Sequence, residues 1–226
     1  MTETSHHPHQ WSIVHRFLFL LFAIMLLFIL HPLVDEFVRL NFLLDIFLSL
    51  ILISAIYAVS ERKVPLILAL MTALPALFSH WADHFLKIRF LHLLDVIFAA
   101  LFFCFGTIMI ITHLFKKKRV TSDLIIGAIC GYFLIGLMWA FIYSLIETVL
   151  PGSFNAGQTG ALDLNALIYF SFVTLCTTGY GDITPLSSQA QFLSILEAVM
   201  GQMYLAVNIA ALVAIRISQS SEKNAK

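Results

Sequence analysis

Six long apolar stretches decide what this chain can become: Trp11–Leu30, Leu40–Ser60, Val64–Ser79, Phe90–Phe115, Leu124–Ile146 and Ala190–Ile215. About 20 apolar residues in helical conformation cross a hydrocarbon core. In lipid every backbone N–H and C=O must find a partner inside the protein, so such stretches are read as helices. Hydrophobic residues are 60% of the 226 and charged ones 12%, against about 45–50% and 25% in soluble domains. This excludes a disordered chain, a collagen-like fibre and a water-soluble globule, and predicts an all-α membrane protein.

Charge orients the stretches. Arg62 and Lys63 follow the second, and Lys116, Lys117, Lys118 and Arg119 follow the fourth. Both clusters are expected on the cytoplasmic side, and an even number of crossings must lie between them. The third stretch has 16 residues and holds Pro65 and Pro75, but the 26 residues of the fourth must cross, so the third crosses too. Six crossings with both termini cytoplasmic place Arg16, Arg216, Lys223 and Lys226 inside with those clusters, and leave only Arg39, Lys87 and Arg89 outside. A further apolar run, Leu164–Cys176, reaches about 20 Å as a helix. That is too short to span, and it falls in the outer loop between the fifth and sixth crossings. The first ten residues carry no Lys or Arg, and no small-residue cleavage site ends the first stretch, so it is expected to be a span rather than a cleaved signal.

Net charge is zero, from 13 basic and 13 acidic residues, so no basic surface invites nucleic acid. Cys104, Cys130 and Cys176 lie in apolar runs at spacings that suit no metal site, and are expected as buried thiols. His6, His7 and His9 read as a polar tail. His31, His80, His84 and His92 gather toward the outer ends of the crossings, a placement that would suit an extracellular pH response.

Shifted by 50 residues, the chain matches itself. Arg39, Leu43, Leu44 and Asp45 fall on Arg89, Leu93, Leu94 and Asp95, followed by Ile46 on Val96 and Phe47 on Ile97. The repeat implies duplicated hairpins, crossings one–two and three–four. Asp45 and Asp95 lie about 9 Å along a helix from their arginines, at a depth where an ionised carboxylate needs a partner or water. Arg39 and Arg89 are the candidate partners, across the hairpins. The set Arg39, Asp45, Arg89 and Asp95 reads either as a gating or sensing element or as a bridge that packs four helices together.

Directly after the short run comes Thr177-Thr178-Gly179-Tyr180-Gly181-Asp182. This hexapeptide resembles the selectivity filter of potassium channels, Thr-Val-Gly-Tyr-Gly, with Thr178 in place of Val. The backbone carbonyls of Thr177, Thr178, Gly179 and Tyr180, with the Thr177 hydroxyl, then form a ladder of oxygens that replaces the hydration shell of K+. Aiming consecutive carbonyls at one axis needs alternating backbone handedness, and Gly179 and Gly181 tolerate positive φ. Asp163 is placed to cap the short helix, whose negative C-terminal end favours a cation. Asp182 either forms an acidic ring at the mouth or bonds behind the filter.

The resemblance implies a homotetramer in which each chain lends one filter strand, with Tyr169 donating to Asp182. Many relatives carry two Trp where this chain has Tyr169 and Phe170, and some carry Glu at the position of Val173. Phe170 cannot donate to the Tyr180 hydroxyl, so support from Tyr169, Phe170, Val173 and Thr174 is expected to differ. In the sixth stretch, the run Gly201 to Ala206 resembles the inner helix of small bacterial potassium channels of the two-helix-pore superfamily. Gly201 there serves as a hinge or as a close-packing site; a glycine inside a helix costs about 1 kcal/mol against Ala. Gln202 and Asn208 are expected to face a wet cavity or a neighbouring subunit, and Glu197 to be paired or protonated against the back of the short helix. Gly127 and Gly131 permit close approach to the fourth or sixth crossing. Voltage-gated relatives repeat basic residues along their fourth crossing, whereas here none lies between Arg89 and Lys116.

The expectation is six transmembrane helices with a re-entrant pore helix and filter between the fifth and sixth. Residues 1–10 form a cytoplasmic tail, 11–115 a peripheral four-helix domain, 116–123 a basic linker, 124–217 the pore domain and 218–226 a second tail. The ten residues after Arg216 are too few for a nucleotide- or calcium-binding gate. The function expected is passive, potassium-selective conduction across the inner membrane of a cell, without enzymatic activity or any cofactor beyond the transported K+. The partners expected are the lipid bilayer and further copies of the chain. The alternatives are a non-selective monovalent cation channel, in which the tyrosine kept here as Tyr180 is often replaced, and a non-conducting receptor or scaffold. A potassium-uptake transporter chain would carry four degenerate pore loops instead of one.

Overall fold

A computed structural model describes residues 17–30, 41–59, 63–86, 88–116, 121–157 and 162–224. Among them the chain forms seven helices. They are α1 Phe17–Leu30, α2 Asn41–Val59, α3 Lys63–Leu86, α4 Arg89–Lys116, α5 Ser122–Val149, α6 Leu164–Leu175 and α7 Ser188–Asn224. A minimal antiparallel ladder, β1 Phe154–Asn155 and β2 Thr184–Pro185, pairs Phe154 with Pro185 and Asn155 with Thr184. Three of the helices hold segments long and apolar enough to cross a membrane: Arg89–Thr112, Leu124–Val149 and Ser188–Ser220. The apolar segments Phe17–Leu30, Asp45–Tyr57 and Leu66–Ala82 are shorter.

The expected stretches and the helices agree in number and order, and differ most at α3. The apolar stretch stops at Ser79, but the helix continues through Pro75 to Leu86. Ser79 Oγ bonds back to the Pro75 carbonyl at 2.7 Å, which satisfies the hydroxyl inside the apolar helix. The polar residue that follows, His80, is itself buried.

Helix α4 lies between α3 and α5; α5 in turn carries α6 and touches α7, while α2 leans on α3 and touches α4. Helix α1 packs against the α5–α6 pair. The Phe28 ring meets Phe133 at 5.5 Å and Phe172 at 4.7 Å. Leu20, Ile24, Phe102, Phe103, Leu134, Leu137, Tyr143 and Leu167 are fully buried at these contacts. Lipid is as apolar as these side chains, so close packing rather than escape from water holds such helices together. Glycine makes that packing possible. A Cβ on Gly136 would come 2.5 Å from the Phe172 ring, so α6 reaches α5 only over a bare backbone. Gly131 faces Tyr204 of α7 and Ile110 of α4, the two neighbours expected for it. Of the three thiols only Cys130 is buried; Cys104 is half-buried and Cys176 is exposed. Cys176 ends α6 and opens the loop, which explains its exposure.

Helix α7 stands apart. Over its most apolar stretch only 11% is buried, against 61% for α5. Phe192, Ile195, Val199, Met203, Ile209 and Val213 are all exposed.

Candidate functional site

The loop between α5 and α7 is built from both ends. Glu147, near the end of α5, turns its carboxylate onto the following turn. Oε1 accepts from the Gly152 amide at 2.7 Å, and Oε2 from Ser153 at 3.0 Å and Phe154 at 3.3 Å. The Ser153 carbonyl then accepts from Leu186 and Ser187 at 2.7 and 3.2 Å, which fastens this turn to the segment after the hexapeptide. Neither the Glu147 clasp nor the ladder was expected; only the isolated acid at the end of an apolar run could have signalled it.

Helix α6 begins as the sequence implied. Asp163 is its N-cap, with Oδ1 accepting from Ala166 N at 2.9 Å. Its last carbonyls are satisfied by the strand that follows. Thr177 N donates to Thr174 O at 2.9 Å, Thr178 N to Val173 O at 2.9 Å, and Gly179 N approaches Val173 O at 3.4 Å. Val173 and Thr174 thus support the strand through their backbone rather than their side chains.

The strand alternates in handedness. Thr177 has φ 55°, Gly179 φ 59° and Gly181 φ 81°. The two glycines were expected at positive φ; the β-branched Thr177 was not, and it is the one non-glycine residue there among the described residues. A Cβ on Gly179 or Gly181 would touch nothing among the described residues, so glycine is required there for its backbone freedom and not for space. Residues 176–182 are exposed. No donor among the described residues reaches the carbonyls of Thr177, Thr178, Gly179 or Tyr180. As exposed acceptors they are open to solvent or to an outside partner that carries positive charge or hydrogen-bond donors.

Around the strand, Tyr169 Oη donates to Asp182 Oδ2 at 2.7 Å. That bond holds the Asp182 carboxyl below its ordinary range. Asp182 therefore bonds behind the strand. Phe170 is buried in a three-ring cluster, 5.1 Å from Tyr143 and 5.3 Å from Phe154. Where an indole could have braced Tyr180, this chain anchors α6 to α5 and to β1.

From α7, Gln202 Nε2 reaches the Thr177 hydroxyl over a long 3.5 Å, while Asn208 Nδ2 bonds back to the Tyr204 carbonyl at 2.8 Å. Gly201 is buried, and a Cβ there would lie 2.5 Å from the Leu175 carbonyl. Helix α7 runs unbroken past it, which accords with the packing role. Glu197 is fully buried. Its Oε2 lies 2.5 Å from Tyr143 Oη and its Oε1 2.5 Å from Ser171 Oγ. It stands behind α6 as expected; Ser171 and Tyr143, its partners, gave no signal of their own in the sequence.

A second polar cluster lies in the first half of the chain. The repeat's two acids meet at one imidazole: His80 Nδ1 is hydrogen-bonded to Asp95 Oδ2 at 3.0 Å, and Nε2 lies at ion-pair distance, 3.0 Å, from Asp45 Oδ1. For Arg89 this corrects the expected pairing with an acid of the repeat. Arg89 instead donates to the Thr148 carbonyl at 3.1 Å, at the far end of α5. Arg39 lies outside the described residues. His80 has both ring nitrogens buried within reach of carboxylates, where Arg89, at the exposed start of α4, reaches a carbonyl.

The match to a protein family falls in the second half of the chain. Residues 124–217 match the family model described as Ion channel. A stretch of 52 residues is 42% identical to a protein of Oryza sativa subsp. japonica named two pore potassium channel c; it is 23% of this chain and 11% of that protein. The chain thus spans about a tenth of that relative's length. No solved structure matches. The segment from α5 through most of α7 is an ion-channel pore domain, and the chain is that of a membrane protein rather than an enzyme.

Proposed function

We propose that this chain is one subunit of a potassium-selective channel, with six crossings, both termini in the cytoplasm of the cell whose inner membrane holds it, and K+ as the only ion its function requires. The observation that carries this reading is the strand itself: positive φ at every second residue, Thr177, Gly179 and Gly181, beside four carbonyls with no donor among the described residues. Four unpaired oxygens in one narrow strand are a poor site alone. Gathered from several copies about an axis, they supply the coordination that a dehydrated K+ needs. The similarity to a protein named as a potassium channel supports the choice of ion. The bare α7 supports assembly, since a long apolar helix uncovered by its own chain has a surface left for neighbours.

The test is flux in liposomes loaded with either K+ or Na+. Wild type is expected to pass K+ and largely exclude Na+. Gly179→Val places a β-branched residue at φ 59°, a conformation such residues resist, and K+ flux is expected to fall by at least about tenfold. Equal passage of both ions would turn the reading to a non-selective cation channel. Flux unchanged by Gly179→Val would remove the strand from the pathway.

A further inference from the structure

At the junction of α5, α6 and α7, the positions of three hydroxyl and carboxyl groups fix a proton. Ser171 Oγ lies 2.7 Å from the Gly136 carbonyl and 2.5 Å from Glu197 Oε1. Tyr143 Oη lies 2.5 Å from Glu197 Oε2. That makes three short oxygen–oxygen contacts, all buried, and each needs a hydrogen between its atoms, because bare lone pairs repel at such distances in a dry interior. A hydroxyl carries one proton and a backbone carbonyl none. The serine proton goes to Gly136, whose oxygen can only accept. The tyrosine proton goes to Glu197 Oε2. The nearby Ser194 hydroxyl is committed to the Ala190 carbonyl at 2.8 Å and supplies none. The contact between Ser171 and Glu197 Oε1 is then left without a hydrogen unless the carboxyl group brings its own.

We infer that Glu197 is a neutral carboxylic acid that donates to Ser171 and thereby positions α6, the helix whose C-terminal end holds the filter strand. Bonding runs in one direction: Tyr143 to Glu197, Glu197 to Ser171, Ser171 to Gly136. It joins α7 to α6 and α6 to α5 at the level where Gly136 lets the two helices touch. Ser171 lies six residues before Thr177 on a helix whose last carbonyls receive the strand's amides, so a shift of α6 at Ser171 is passed to the strand through a rigid element. Glu197 touches no ion; it is a positioning residue, and its role in conduction rests on the channel reading above.

The protonation state can be read without any flux. In infrared spectra of the protein in lipid, with glutamate carboxyl carbons isotope-labelled, wild type is expected to show a protonated carboxyl band that Glu197→Gln lacks. Ser171→Ala removes the acceptor, and the band is expected to move to higher frequency, as for a carboxylic acid freed of its hydrogen bond. No protonated band assignable to Glu197, or a band that Ser171→Ala leaves in place, overturns the inference even if the protein conducts. Function is read separately. Glutamine keeps one donor for Ser171 and one acceptor for Tyr143, so Glu197→Gln is expected to hold the K+/Na+ flux ratio within about twofold, whereas Glu197→Ala strands both partners and is expected to lower it about tenfold. An equal loss in both variants would overturn the positioning role. Absence of K+ flux in wild type with the band intact would sink the channel reading and leave the buried acid standing.

Discussion

Tyr169 and Asp182 meet in the open at the end of the strand, and the hydroxyl of one sets the acidity of the other. Bonding to Tyr169 is the chief reason the Asp182 carboxyl sits below its usual range. A carboxylate lowered in the folded state adds its stability above the ordinary carboxylate range, near pH 4, and loses it as pH falls through the lowered value. Tyr169→Phe deletes the donor. Acid is therefore expected to silence the variant at a higher pH than the wild type, as a pH series of K+ flux in liposomes would record. Coincident profiles would mean that the bond does nothing for the strand. Phe170 belongs to the same scale of argument: its ring was expected to leave Tyr180 without a brace, and it is occupied elsewhere, with Tyr143 and Phe154.

Helices α2, α3 and α4 are joined by a single imidazole. Removing it takes a buried partner from both carboxylates, and deleting one partner of a buried pair costs about 3–5 kcal/mol. His80→Leu is expected to lower thermal stability in detergent or lipid by an amount of that order. Adding Asp45→Asn and Asp95→Asn to it is expected to restore part of the loss, because the charges that lost the imidazole go too. A His80→Leu protein as stable as wild type would show the bridge to be incidental. The elements themselves were largely legible in the sequence, since hydropathy sets where a helix can lie in lipid and Asp163 marks the start of α6. The end of α3 was not. His80 reads as the polar end of a span, and only Asp45 and Asp95, 35 and 15 residues away, make it an interior residue. Distance hid the pore domain's polar junction in the same way. Glu197 invites a partner, but Ser171 and Tyr143 stand 26 and 54 residues off, and nothing about a serine in an apolar helix names it. The strand was legible because its constraint is local: glycine at alternate positions is a backbone requirement, visible wherever the chain is read.

At the scale of the molecule, the uneven burial of the helices is the main fact. Helix α5 is enclosed by its own chain, and α7, longer than any other element at 37 residues, is not. Its exposed side chains include Phe192, Ile195 and Leu196 on the first turns and Val213 and Ile217 near the other end, so the bare surface runs the helix's length. A single chain offers one strand of oxygens, and a closed ring of copies offers a cage. Cross-linking in lipid and native mass spectrometry are expected to return four copies. A protein that conducts as a monomer would require the strand to act in some other way. The count of four came from resemblance to a family; the need for more than one came from the residues.

Thr177 has one more consequence. A β-branched residue at φ 55° sits in a region that disfavours it by about 1–2 kcal/mol, and no donor among the described residues bonds to its carbonyl. The strand's amide bonds to α6 offset part of that preference, and the cargo is the natural candidate for the rest. Whatever binds only the curled form stabilises it in proportion to its concentration over its dissociation constant. Heat resistance of the assembled protein should then depend on which salt surrounds it, higher in KCl than in NaCl of equal strength, and melting curves in the two salts would show it. In such a protein the permeant species is a ligand of the fold, and starving the pore would loosen it.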